Sequence, residues 1–361
     1  MNKPLRVGIV GLGRIFDLNS LGYINNPDVE VVALCDVRSD ILEQRQRVFP
    51  AAQGFARYEE FLNLELDLVD ILSPHPMHLD MTVAAMDAGA HVSVQKPMAM
   101  TLAECDAMIA AANRTGRRLK VFENFVFYPP LVKAREHLLS GEIGDPKHFR
   151  MKVVMGNAAV SGWEVPKATN TWRDSLNAKG LGGPLVFDHG HHMMAVALWL
   201  FGDIKDCYAQ IEETSVPGEF AQDAPATLVW RHEQPPIHAM WDVSLALNLK
   251  VRTDYYAVHE QFEIQGDRGV ITINRCSDRM FDEPVLSLYR DGEVRAWHNI
   301  EDDWGAGFRL STRHFVDVLK GREPQQILTG QEGRRVVELF RLFERSSREQ
   351  RLVSRRGTKP S

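Results

Sequence analysis

The stretch from Arg6 to Asp36 limits what this chain can fold into more than any other. An apolar run, Arg6–Val10, ends in Gly11-Leu12-Gly13. A second run, Val29–Cys35, ends at Asp36, 23 residues beyond Gly13. Glycines directly after a strand, with a carboxylate ~20 residues on at the next strand's end, mark a dinucleotide-binding β-α-β unit. Gly11 permits the tight turn, and Gly13 lets the backbone approach a pyrophosphate. Arg14 and Ile15 then open a helix whose N–H groups and partial positive charge favour phosphate. Phe16 stands where a third glycine would serve helix–strand packing. Asp36 would accept hydrogen bonds from the adenosine ribose hydroxyls and repel a 2′-phosphate, which favours NAD. Arg38 leaves NADP open, because a guanidinium there can pair with that phosphate.

The alternation continues through the first third of the chain. Leu66–Leu72, His91–Gln95 and Leu119–Phe122 read as strands. Leu79 to Ala88 and Leu102–Asn113 carry helical apolar spacing and end near Gly89 and Gly116. Such a pattern predicts right-handed β-α-β units and a parallel sheet. After Gly144-Asp145-Pro146 the pattern changes. Strands are expected at His148–Met155, Asp206–Glu213, Ala226–Trp230, His238–Ala246, Tyr255–Ile264, Gly269–Asn274 and Val285–Tyr289. Helices are expected at Pro184–Phe201 and from Arg309 onward. The expected fold class is α/β, with an N-terminal Rossmann domain over residues 1–145. Residues 146–361 should form an α+β domain with a mostly antiparallel sheet.

Composition excludes several classes. The 361 residues carry a formal net charge of -6 and no basic block, which gives no electrostatic reason to seek nucleic acid or anionic lipid. No apolar run approaches the ~18 residues of a membrane span, and the N-terminus has no signal-like core. The four cysteines are scattered, and Cys35 lies in an expected buried strand, so a disulfide framework is not expected. The expectation is a cytoplasmic protein.

Further motifs stand at later strand ends, where ligands bind in a doubly wound sheet. They are Ser73-Pro74-His75-Pro76-Met77-His78, then Ala88-Gly89-Ala90-His91-Val92-Ser93-Val94-Gln95-Lys96-Pro97, then Glu123-Asn124-Phe125-Val126-Phe127. Ile143-Gly144-Asp145-Pro146 and Gly182-Gly183-Pro184-Leu185-Val186-Phe187-Asp188-His189-Gly190-His191-His192 follow. This ordered set resembles the glucose–fructose oxidoreductase and inositol dehydrogenase family (Gfo/Idh/MocA) over almost the whole chain. The chain departs from the family pattern at several positions. Gln95 replaces a glutamate, His75 an asparagine, Phe125 and Val126 two arginines, and Ala195 an aspartate.

The resemblance implies NAD held by Gly11, Gly13, Arg14, Ile15, Asp36, Arg38, Ser73, His75, His78, Gln95, Lys96 and Asn124. It implies a catalytic group of Lys96, Asp188 and His192, a carbohydrate substrate, no metal, and a second domain with an open, mostly antiparallel sheet that binds substrate and mediates a homodimer or homotetramer. The chemistry suits those residue types. Oxidising a secondary alcohol releases a hydride and a proton, and a histidine, whose ordinary pKa lies near neutrality, can take the proton. A lysine can hold the alcohol oxygen and stabilise charge developing on it. Asp188 can bind a neighbouring hydroxyl or orient the histidine. The alternative for the pair is a helix-capping aspartate and a core histidine.

His189 and His191 leave a divalent metal as a rival use of this segment, although successive positions cannot all face one ion. Trp163, Trp172 and Arg173 precede the motif. An indole face suits the C–H face of a sugar, and Arg173 can donate to its hydroxyls. His189 joins Lys96, Trp172, Arg173, Asp188 and His192 as expected substrate contacts. His259, Glu260 and Glu263 read only as polar strand residues. The expected activity is NAD-dependent oxidation of a secondary hydroxyl of a sugar, glycoside or cyclitol, with C3 of a sugar favoured. The alternatives are redox-neutral glycoside cleavage with tightly held NAD, and a dinucleotide-binding sensor without turnover.

Overall fold

The computed structural model describes residues 3–160, 183–216 and 221–355. The chain packs as two units. One is Met1–Asn124 with Phe308–Glu338, and the other is Phe125–Gly307 with Leu339–Ser361.

The first unit is built on six parallel strands: β1 (Leu5–Val10), β2 (Val29–Cys35), β3 (Gln53–Phe55), β4 (Leu68–Ile71), β5 (His91–Val94) and β6 (Leu119–Val121). Their spatial order is β3-β2-β1-β4-β5-β6. The order reverses at β1, which is where a doubly wound sheet opens a ligand crevice beyond its carboxyl ends. Apolar side chains leave both faces of these strands, so both faces must be covered. Val7, Ile9, Val31, Leu34 and Leu68 pack on one side with Leu12, Phe16, Phe315 and Val318. Val10, Ala33, Val69, Ile71, Val92 and Val94 pack on the other with Met86, Met108 and Val337.

Phe315 lies in the helix Trp304–Leu319, and Val337 in the helix Gly330–Glu349. Each buried large apolar side chain contributes ~1.5–3 kcal/mol. A late segment therefore completes an early core. The division by packing falls after Asn124 and returns at Phe308, which differs from the expected single boundary at 145/146. Nothing local in residues 308–338 marks them as belonging to the first sheet, because an amphipathic helix shows its apolar face and not its partner.

The helix Leu102–Thr115 shows how local sequence sets ends. Thr101 Oγ1 accepts from Glu104 N at 3.2 Å, and Glu104 Oε2 accepts from Thr101 N at 2.8 Å, a reciprocal capping box. Gly116, at φ +67°, closes the other end.

The second unit carries β7 (Pro146–Val160), β8 (Ile204–Ile211), β9 (Ala226–His232), β10 (His238–Arg252), β11 (Val258–Gly266), β12 (Gly269–Ile273), β13 (Leu286–Arg290), β14 (Glu293–Trp297) and β15 (Val353–Ser354). They form one open sheet in the order β14-β13-β12-β11-β7-β10-β9-β8-β15. Of the pairings, β7 with β10 is parallel and the others are antiparallel. Phe149, Met151, Val153, Trp241, Phe262 and Ile264 alternate onto one buried face. The helix Gly190–Phe201 lies there, with the Phe149 and Phe201 ring centroids 5.2 Å apart.

All four cysteines are unpaired and buried. Among the described residues, no helix is long and apolar enough to cross a membrane.

Candidate active site

Four backbone bonds gather the strand ends of the first unit. Gly11 N donates to Cys35 O at 2.9 Å, Leu72 N to Val10 O at 2.8 Å, Gln95 N to Ile71 O at 2.9 Å and Phe122 N to Val94 O at 2.7 Å. Gly11 has φ +84°, and a Cβ there would sit 2.6 Å from Ser73 N, so only glycine fits the turn. A Cβ on Gly13 would meet nothing within 4 Å, which leaves that face of the loop open.

Asp36 closes the loop from β2. Its Oδ2 accepts from Leu12 N at 2.8 Å, and its Oδ1 accepts from Arg38 N at 3.0 Å. The Arg38 guanidinium lies 3.7 Å from the same carboxylate. The helix that follows the loop is shorter than expected. It is a single turn, Phe16–Asn19 with Ile15 at its N-cap, and passes directly into the 3-10 turn Ser20–Gly22. Arg14 donates to Asp17 at 2.6 Å. Arg45, which no sequence motif marked, also pairs with Asp17 and donates from Nε to Leu12 O at 3.3 Å.

Ser73, His75, His78, Gln95 and Asn124 are buried at the ends of β4, β5 and β6, and Lys96 is half-buried. His78 has a tying role that its motif did not reveal. Its Nδ1 lies 2.9 Å from Pro97 O and its Nε2 3.0 Å from Ser73 O, so the ring joins two loops. His75 sits 5.6 Å from it, ring to ring. The Ser73 hydroxyl and both amide atoms of Asn124 are buried with no hydrogen-bond partner among the described residues. Buried polar groups are nearly always paired, so these atoms fit a polar ligand at the strand ends. Together with the open glycine loop and Asp36, they suit a dinucleotide.

In the second unit, Asp188 and His192 lie at a junction between two helix types. The expected helix begins as a π-turn, Pro184–His189, and becomes α-helical only at Gly190. Asp188 N accordingly bonds back five residues to Gly183 O at 3.1 Å. Asp188 and His192, four residues apart within the expected helix Pro184–Phe201, therefore do not lie along one uninterrupted α-helix.

Asp223 builds the turn, accepting from Leu185 N at 2.7 Å and Phe187 N at 2.8 Å. A Cβ on Gly183 would lie 2.2 Å from Asp223 Cγ, so the glycine is needed for this approach. Burial raises the Asp223 pKa, and the backbone N–H donors oppose the rise.

Asp188 is 5% exposed and His192 6%. The His192 ring stands 5.0 Å from Phe125 and 5.5 Å from His189. His191 turns the other way. Its Nδ1 lies 2.5 Å from Phe187 O, and its ring stacks on Phe340 at 4.7 Å. Among the described residues, no group of three histidine, cysteine or acidic side chains is placed to hold a metal. Trp163, Trp172 and Arg173 lie outside the described residues.

Glu260 is the residue the sequence reading undervalued. It is 1% exposed, and its Oε1 lies 3.6 Å from His189 Nε2. Burial pushes its pKa up to about 8, with the Asp278 carboxylate adding to the rise. Its Oε2 lies 2.9 Å from Ser277 Oγ and accepts from Ser277 N at 3.2 Å. Period-two alternation could have found it, since Glu260 shares a strand face with Phe262 and Ile264.

A family model described as "Oxidoreductase family, NAD-binding Rossmann fold" matches residues 5–123, and one described as "GFO/IDH/MocA C-terminal domain" matches 131–272. The chain is 33% identical over 193 residues to a 1-carboxy-3-chloro-3,4-dihydroxycyclohexa-1,5-diene dehydrogenase of Comamonas testosteroni, covering 53% of this chain and 46% of that protein. It is 30% identical over 237 residues to a D-glucoside 3-dehydrogenase of Escherichia coli, covering 63% and 64%. The match thus spans about half to two thirds of the length of these curated relatives. A crystal structure of an oxidoreductase from Agrobacterium radiobacter, solved with NAD+, L-tartaric acid and magnesium, superposes with a TM-score of 0.80 at 18% identity over 98% of both chains.

Proposed function

Because the chain belongs to the Gfo/Idh/MocA oxidoreductase family, we propose that it transfers hydride between NAD and a secondary hydroxyl of a sugar, glycoside or cyclitol. The observation that carries this reading is the buried pair Asp188 and His192, held against Phe125 by a turn that Asp223 builds. A proton-transfer pair kept out of water is of use in turnover, whereas a sensor needs only the dinucleotide loop.

NAD supplies the hydride acceptor. Gly11, Gly13, Arg14 and Ile15 would hold its pyrophosphate and Asp36 its ribose hydroxyls, with Arg38 as the residue that would admit NADP. Ser73, His75, Gln95 and Asn124 would meet the nicotinamide side. His192 takes the hydroxyl proton as the hydride leaves. Lys96 holds the same oxygen and stabilises the charge developing on it. Asp188 fixes the histidine or a neighbouring hydroxyl, and His189 lies beside them as a further hydroxyl contact. Oxidation at C3 of a glycoside is the favoured specificity, supported by the likeness to a D-glucoside 3-dehydrogenase. The companion expectation is a cytoplasmic homodimer or homotetramer, which light scattering of the purified chain would size.

The test is NADH fluorescence after mixing the protein with NAD and a panel of inositols, hexoses and alkyl glucosides. One substrate class should give signal that Lys96→Ala loses. Substrate consumption without net NADH would favour redox-neutral cleavage. NAD binding with no turnover in either direction, and none with NADP, would refute the dehydrogenase reading in favour of a sensor.

A further inference from the structure

Charged residues stand inside two of the buried parallel strands. Asp70 on β4 pairs in register with Ser93 on β5, and Ser93 with Lys120 on β6, so one rung of the sheet carries all three. Asp70 and Lys120 are fully buried. Lys120 Nζ donates to Ser311 O at 2.5 Å. Burial pushes the lysine down to about 7, opposed by Asp70 and Glu123, and pushes Asp70 up, opposed by Ser93, Lys120, Asn19 and Tyr23. Two ionisable side chains in a core cost stability unless their attraction and hydrogen bonds offset the desolvation.

A chain of side-chain amides leads from this rung to the strand end that bears Lys96. Lys96 N donates to Gln95 Oε1 at 3.0 Å, Gln95 Nε2 to Asn19 Oδ1 at 2.9 Å, and Asn19 Nδ2 to Asp70 Oδ2 at 3.4 Å. Its direction is forced from one end. A backbone N–H can only donate, so Gln95 must present its oxygen to Lys96 and its NH2 to Asn19. Asn19 must then turn its own NH2 outward, and the last group must accept. Asp70 is that acceptor.

We propose that Gln95, Asn19 and Asp70 form a one-way hydrogen-bond relay that positions Lys96, with Asn19 and Asp70 as positioning residues for the reaction. The proposal rests on the reading of Lys96 as catalytic, and it explains why an amide rather than a carboxylate stands at position 95. A glutamate there would offer oxygen to both neighbours. Asn19 would have to flip, and its oxygen would then face the Asp70 carboxylate. Asparagine at 70 would accommodate the reversed direction, because it can donate where aspartate accepts.

The experiment is a double-mutant cycle on the full chain, with steady-state kinetics on the substrate class that the NADH assay identifies and amide hydrogen exchange at Lys96. Circular dichroism melts identify any variant that fails to fold. Gln95→Glu should lower kcat about tenfold or more, the scale of one unsatisfied buried group. In an Asp70→Asn background the same change should cost no more than about twofold, a non-additivity that only coupled partners show. Asn19→Ala should lower kcat and speed exchange of the Lys96 amide about tenfold, and Gln95→Ala, which removes the acceptor of that amide, should speed it at least as much. Additive losses in the double variant, or Lys96 exchange unchanged in both Asn19→Ala and Gln95→Ala, would overturn the relay. If Lys96→Ala keeps full turnover, or no substrate turns over, the functional reading fails. The exchange measurements then still decide whether the relay exists.

Discussion

Glu260→Gln should stabilise the second unit, and more strongly as the pH rises. Glu260 is buried, and its pKa is raised to about 8, first by desolvation and then by Asp278. An unfolded glutamate titrates near ~4.3. Below ~4.3 the folded and unfolded chains both hold the proton, and Glu260 makes no difference to the pH dependence. Above it the unfolded chain releases the proton while the folded chain keeps it. Unfolding therefore becomes easier by ~1.4 kcal/mol per pH unit until the folded pKa is reached. Nearly four units separate the two values, so the ceiling is about 5 kcal/mol by pH 8 and about 4 kcal/mol at pH 7.

Glutamine keeps the shape of the neutral acid, can serve Ser277, and does not titrate. No tryptophan occurs in residues 1–124 or 308–338, so intrinsic fluorescence does not report the first unit and follows the rest of the chain. Urea unfolding should be followed at pH 5, 6, 7 and 8 for both proteins. The variant should match the wild type most nearly at pH 5 and exceed it by several kcal/mol at pH 8. Parallel stability profiles across that range would refute the reasoning, since they would mean that folded Glu260 is already ionised.

Three further outcomes follow from the first unit. Asp36→Ala removes the carboxylate that accepts from Leu12 N at 2.8 Å, and should weaken NADH binding about tenfold while raising the NADP-to-NAD preference, both read by fluorescence titration. Gly11→Ala forces a side chain into φ +84° and into contact with Ser73, and should cost ~1–3 kcal/mol in thermal unfolding and abolish measurable NADH binding. Thr101→Ala breaks the capping box and should cost ~1 kcal/mol, read by far-ultraviolet circular dichroism, because the first unit has no tryptophan.

The order of elements was legible in the sequence by itself, because period and punctuation are local. The runs Arg6–Val10 and Val29–Cys35 became β1 and β2 within a residue, and His91–Gln95 became β5. The glycine turn and Asp36 were legible for the same reason, since a left-handed turn and a strand-end carboxylate leave signatures in a short window. Three pairing strands were not expected: β3 and β15, because two or three residues carry no period, and β14, whose Glu-Val-Arg-Ala-Trp is exposed at four of its five positions and so shows no buried alternation.

What the tertiary structure alone decided depends on partners distant in sequence. Residues 308–338 join the first sheet because Phe315 and Val337 find apolar faces there. The π-turn at Asp188 exists because Asp223, far along the chain, supplies two acceptors and Gly183 lets it near. Glu260 reads in the sequence only as a polar strand residue, and Asp70 and Lys120 are each the one polar letter in the short strands Leu68–Ile71 and Leu119–Val121. Burial made them expensive, and expense is a property of surroundings that a one-dimensional pattern does not contain.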